Sequence, residues 1–197
     1  MDKCLSFFKI RLVKCLVGPS IIAITLIQLC LVGASQDTKD SRIFGGPERK
    51  FFNAIPDWVP VKVKARKVAS EKWAHDLEIE ITNISSKPIY YMHLYLTLPG
   101  VRNLERGHRV GFLLRYGRSG LISAAERVRS DDVPIMPKGK HVFRLSENGA
   151  NGWEQLRARE GRPQPKILEL EFQLLNFGDG TGYITTGGEP FDVRKRN

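Results

Sequence analysis

Between residues 59 and 83 apolar and polar side chains trade places one for one. In the run VPVKVKARK, Val59, Val61, Val63 and Ala65 alternate with Pro60, Lys62, Lys64 and Arg66. In HDLEIEITN, Leu77, Ile79 and Ile81 alternate with Asp76, Glu78, Glu80 and Thr82. Period two over such lengths predicts strands with one buried face. The polar faces are opposite in sign. An antiparallel pair that turns near Ser70 would set Lys62, Lys64 and Arg66 against Asp76, Glu78 and Glu80.

The turn text NISSKP leads into IYYMHLYLTLPG. There Tyr90, Met92, Leu94, Leu96 and Leu98 share one face, and Ile89, Tyr91, His93, Tyr95 and Thr97 the other. A strand apolar on one side and aromatic on the other is expected at the centre of a sheet or beneath a loop. RVGFLLRYG reads as a further strand, whereas periodicity does not decide LISAAERVR between a short helix and an irregular edge. In DVPIMPKGKHVFRLS, Pro134 and Pro137 interrupt an edge strand before a Lys-Gly turn and a strand from His141 to Leu145. Residues 148–152 read as loop. WEQLRARE fits one or two helical turns, closed by Gly161 and barred by Pro163, with Trp153 as the plug that docks them. KILELEFQLLNF then predicts a long strand with Leu168, Leu170, Phe172 and Leu174 inward.

About seven strands, frequent turn signals and one short helix predict an all-β fold, an immunoglobulin-like β-sandwich over residues 56–197. The Cys…Trp…Cys signature of antibody domains is absent.

The start of the chain is different. Lys3, Lys9, Arg11 and Lys14 precede the uncharged run from Ile21 to Gln36. This is the layout of a secretory signal peptide, with Val32-Gly33-Ala34 placing the cut after Ala34, or after Ser35. The competing reading is an uncleaved membrane anchor. The run from Ile21 to Ala34 is shorter than the roughly 20 residues that span a bilayer, and adding residues 15–20 makes up the length. Cys30 follows Leu29 rather than a small residue, which argues against lipid attachment. Residues 35–55, broken by Gly45-Gly46-Pro47, read as a flexible tether. The expected location is therefore periplasmic or extracellular, with membrane attachment only through the N-terminal segment. All three cysteines, Cys4, Cys15 and Cys30, lie in that segment, so residues 35–197 can form neither a disulfide nor a thiolate zinc site.

Charge changes the picture of partners. The formal net charge is +10, which favours acidic polymers or acidic envelope proteins; export argues against nucleic acid. Between Arg102 and Arg129 lie Arg102, Arg106, Arg109, Arg115, Arg118, Arg127 and Arg129, against only Glu105 and Glu126. Set beside Tyr91, His93 and Tyr95, these arginines could hold phosphate or carboxylate by bidentate contacts, with rings for stacking. The plainer reading is a solvated face paired with Asp131 and Asp132.

Chemical motifs are sparse. His75, His93, His108 and His141 show no HxxxH or HExxH spacing. GxSxG, Walker-type and GxGxxG patterns do not occur, and the Ser of GRSG lacks elbow spacing. No catalytic residue, metal or cofactor is expected. Asn83-Ile84-Ser85 has glycosylation spacing. In NFGDGTGY a calcium loop would need several oxygen ligands at alternate positions, and Asp179 is a single acid, so Asp179-Gly180 reads as a hairpin turn.

The text LEFQLLNFGDGTGY followed by GGEPF resembles the C-terminal end of uncharacterised exported bacterial proteins, and LEIEITNISSKPIYYMHLYLTLP is similar to their first strand pair. The resemblance covers residues 80–180, with FGDGTGY as its most specific part, and extends more loosely to immunoglobulin-like and fibronectin-like modules. It implies an exported β-rich domain and brings no catalytic residue with it. On these grounds the chain is expected to be a non-catalytic binding or envelope module. The alternative is a carbohydrate-active or other hydrolase with loop-borne residues.

Overall fold

A computed structural model describes residues 43–45, 49–102 and 107–196. The leader, most of the expected tether's first half and Arg106 lie outside them.

The strands are β1 (Ile43–Gly45), β2 (Lys50–Asn53), β3 (Val61–Arg66), β4 (Glu78–Asn83), β5 (Tyr91–Arg102), β6 (Arg109–Tyr116), β7 (Lys140–Phe143), β8 (Ile167–Asn176), β9 (Thr181–Ile184) and β10 (Glu189–Asp192). Helix α1 spans Trp73–Asp76 and α2 spans Glu147–Glu160. The strands form two sheets, one of seven strands and one of three, packed as an all-β sandwich. The large sheet runs β1-β2-β8-β5-β6, and β9 and β10 continue it from the upper half of β8. The small sheet runs β3-β4-β7. Every pairing is antiparallel except β2 with β8.

Alternation explains the core directly. Met92, Leu94, Leu96 and Leu98 of β5 and Leu168, Leu170 and Phe172 of β8 meet Val63, Ile79, Ile81 and Phe143 of the small sheet, all buried. Each such side chain contributes about 1.5–3 kcal/mol by leaving water. The two helices add aromatics to the same core. Trp73 of α1 and Trp153 of α2 are both buried, with ring centroids 5.9 Å apart, and Phe112 meets Trp73 edge-on at 6.1 Å.

Four features depart from the sequence reading. First, the segment taken as tether up to Ile55 joins the fold earlier. Phe51 is fully buried, Ile55 nearly so, and Lys50 already pairs with Ile167. A two-phenylalanine strand is too short to show a period. Second, the β3–β4 register is two residues off. Lys64 faces Glu80, Arg66 faces Glu78 and Lys62 faces Thr82, because α1 removes Asp76 from the ladder and binds it to Ser70. Opposite charges still meet across the pair, with Arg66–Glu80 and Lys67–Glu78 both at 3.1 Å.

Third, the helix is longer than one or two turns. Ser146 caps it by accepting from the Gly149 backbone N–H at 3.1 Å, and Gly161, at φ 60°, closes it. The weak helix formers of ENGANG hid its first half, which tertiary packing of Ala150 and Trp153 holds in place.

Fourth, β8 carries a bulge. His93 faces Leu174 while Leu94 faces Phe172, so Gln173 stands without an opposite residue. The extra residue reverses the pleat. Leu175, not Leu174, enters the main core; Leu174 turns outward and packs with Tyr91 and Leu121 in a second small core.

The Asp-Gly text does form a hairpin between β8 and β9, in a different geometry from the one anticipated. Positive φ falls on Gly178 (77°) and Gly180 (82°), not on Asp179. Asp179 instead accepts from the Thr181 N–H at 3.0 Å and from Lys87 Nζ at 2.8 Å. Asn83, whose sequence context suits glycosylation, is fully buried. Its Nδ2 donates to the carbonyls of Lys87 and Ile135, each at 2.8 Å.

Candidate functional site

Strand β5 lies between β8 and β6, so both of its neighbours fix what its outer side presents. The outer residues are Tyr91, His93, Tyr95 and Thr97. On β6, Arg115 stands opposite His93, Leu113 opposite Tyr95 and Gly111 opposite Thr97. On β8, Glu171 stands opposite Tyr95 and Glu169 opposite Thr97. Register thus brings the aromatic strand and part of the arginine segment onto one sheet face, although some twenty residues separate them in the chain.

The three aromatics are not equivalent. Tyr91 is fully buried beneath Leu121 and Phe191, and its hydroxyl has no hydrogen-bond partner. Burial pushes that phenol's pKa up, against an opposing pull from Arg115. Tyr91 is therefore core, not a stacking platform. His93 is half-buried, with Nε2 unpartnered. Burial first, and Arg115 second, hold its pKa below the ordinary histidine value, so the ring is neutral at pH 7. Tyr95 is the exposed ring. Its centroid lies 5.0 Å from that of His93, tilted by 49°.

The arginines divide as well. Arg118 is a structural clamp. Its guanidinium donates to both oxygens of Asp132 at 3.1 Å, to Glu126 at 2.8 Å and to the Arg127 carbonyl at 3.1 Å. Those bonds, to Asp132 before Glu126, raise its pKa and depress that of Asp132. It ties the 118–132 segment together with four of its five N–H donors. Arg129 lies 3.6 Å from Glu126. Arg127 is exposed on the same irregular segment. Arg102 faces Arg109 at the far end of the β5–β6 pair, beyond an irregularity in the ladder. Arg109 reaches Glu171 only at 3.8 Å. Arg115 is exposed and makes no ion pair among the described residues. Of the seven candidates, then, Arg115 stands beside His93 and Tyr95, and Arg109, with Arg102 opposite it, lies farther along the same strand pair.

A different region holds an open cleft of about 1230 Å³ where α1, α2 and the lead-in to β8 meet. Lys72, His75, Arg157, Lys166, Glu71 and Glu154 line it. Glu154 is committed to Arg157 by two hydrogen bonds, at 3.0 and 3.1 Å. At its floor, buried Arg49 donates to the carbonyls of Pro165, Val68 and Ser70 and lies 5.6 Å from the centroid of the Trp73 ring. The sequence reading passed over Arg49 because it sat in the supposed tether; the adjoining Phe51-Phe52 pair was the signal that the fold had begun.

Among the described residues, no three His, Cys, Asp or Glu side chains gather closely enough to share a metal ion. Nor is any helix of those residues long and apolar enough to cross a membrane. No family model, curated protein or solved structure matches the chain.

Proposed function

We propose that the protein is an exported, non-catalytic β-sandwich module that binds an acidic partner, an envelope protein or an anionic polymer, through the outer face of β5 and β6. The observation that carries this reading is Arg115, an exposed cation without an ion pair among the described residues, flanked by His93, Tyr95 and half-exposed Leu113. A guanidinium beside ring and aliphatic surface suits carboxylate or phosphate groups carried on a partly apolar ligand. Export rests on the basic, then apolar, leader and on the resemblance of FGDGTGY and its surroundings to exported bacterial proteins; an immunoglobulin-like affinity of the sandwich belongs to the same reading.

The test is binding of the full chain to polyglutamate and to polyphosphate across a salt series. Affinity should fall steeply between 50 and about 300 mM salt, since the Debye length at 0.1 M is about 10 Å. Arg115→Glu should abolish it. Equal binding at low and high salt, or an unaffected Arg115→Glu variant, refutes the proposal.

A further inference from the structure

We propose that β6 is an acceptor strand, and that the partner is a protein whose extended acidic segment adds to its free edge. This rests on the binding reading above and names the partner's form. β6 is eight residues long and ends the large sheet. Its ladder runs to β5 alone, and among the described residues no other backbone hydrogen bond involves Arg109–Tyr116. One side of every strand's backbone polar groups is left for a neighbour, and here that side has none.

The space beyond the edge is open up to Arg115, and at Tyr116 it is closed by the His141 ring, 4.5 Å away. A slot of about 380 Å³ separates Leu113–Arg115 from His141–Arg144 of the small sheet's edge strand. Apolar surface on both faces of β6 is unfinished: Leu113 is 44% exposed outside, and Val110, Phe112 and Tyr116 are only half-buried inside. An added strand would complete both.

Charge selects the occupant. On the outer face β6 presents Arg109, Gly111, Leu113 and Arg115. A second copy of β6 pairing antiparallel about Phe112 would set Arg109 against Arg115 at both ends, which is repulsive. Edges are commonly guarded with prolines, bulges or charges. From Gly111 to Leu114 there is no proline, no bulge and no charge, and the ladder's irregularity falls at Val110, so the terminal arginines repel copies while leaving the apolar centre open. Along the small sheet's edges Arg66 and Lys140 reach Glu80 and Arg144 reaches Glu78, while Lys62 and Lys64 of β3 make no ion pair among the described residues. The complementary segment carries acids opposite Arg109 and Arg115 and apolar or aromatic residues opposite Leu113 and Gly111, where the missing side chain leaves room for a ring. This acid-x-apolar-x-aromatic-x-acid order follows from the period of two, and strand addition supplies the main-chain bonds.

The experiment uses the full chain and a labelled, end-blocked peptide Glu-Thr-Val-Thr-Phe-Thr-Glu. Two N-methylated forms, one blocking each edge of the peptide, accompany it, with a scrambled peptide of equal composition. The unmodified peptide should bind at least tenfold better than the scrambled one. One N-methylated form should lose at least tenfold, the other less than threefold. Amides of Arg109–Tyr116 should gain hydrogen-exchange protection with the peptide bound. If both N-methylated forms bind as well as the parent, or the scrambled peptide does, the edge is not the site and the proposal falls. The simpler face-binding reading stands if Arg115→Glu still abolishes polyglutamate binding. If neither peptide nor polyglutamate binds, both readings fall.

Discussion

Replacing Asn83 by alanine tests whether one buried amide knits the small sheet to its surroundings. The side chain makes three hydrogen bonds of its own, Nδ2 to the carbonyls of Lys87 and Ile135 and Oδ1 from the Ser85 N–H, and Oδ1 competes with the Lys87 carbonyl for the one Ser85 hydroxyl proton. Truncation does not orphan all the partners. The Lys87 carbonyl keeps the Ser85 hydroxyl at 2.7 Å, and the Ile135 carbonyl keeps the Ile89 N–H at 3.0 Å. The Ser85 N–H loses its acceptor outright. One unsatisfied donor and the net loss of the remaining bonds amount to about 3 kcal/mol. With a urea m-value of about 2 kcal/mol/M, the midpoint should fall by about 1.5 M. Fluorescence of the buried Trp73 and Trp153 reports the transition. Asn83→Asp should cost more at pH 8, because a carboxylate oxygen then faces two carbonyls. Acidification should relieve that cost as the carboxyl gains a proton to donate. A midpoint shift below about 0.3 M, or an aspartate tolerated as well as alanine at pH 8, would refute the role assigned to Asn83.

Two further outcomes are expected. His93 and His141 both have pKa values lowered chiefly by burial. The unfolded chain therefore binds more protons below about pH 6.5, and stability should fall as pH drops through that window while staying flat above it. The melting temperature should decrease from pH 7.5 to 5.5, with the slope reduced in the His93→Gln/His141→Gln variant; a temperature that holds or rises counts against this. Gly117 sits at φ 85°, with a Cβ position 2.1 Å from the Tyr90 carbonyl oxygen, so Gly117→Ala should cost about 3 kcal/mol. Gly161→Ala, also at positive φ but with open space around it, should cost only about 1 kcal/mol, and equal losses in denaturant would contradict the steric argument.

What could be read from the chain was what repeats. β3, β4, β5 and most of β8 declare themselves because a half-buried strand must alternate, and the sandwich follows from having many such strands. Gln173 could not be foreseen as the bulged residue, since LEFQLLN alternates well enough to hide an inserted position; so Leu174 was assigned to the wrong face. The clamp at Arg118 was half legible: Asp132 was named as a possible partner for the basic segment, but not the closure it enforces. Arg115 stood out from its six companions only once register placed it opposite His93. Cross-strand neighbours are set by pairing, which local composition does not encode.

The parallel contact of β2 with β8 has a consequence for how the molecule is made. Lys50 meets Ile167, so strands near one end of the sequence must wait for a partner close to the other. During synthesis β2 has only β1 beside it until residues 167–170 have been made. Because β8 is also the neighbour of β5, its arrival joins β1-β2 to β5-β6, and β9 and β10 add afterwards. Chains interrupted before residue 167 lack the strand that β2 and β5 share, and quality-control proteases would meet them with that ladder unformed.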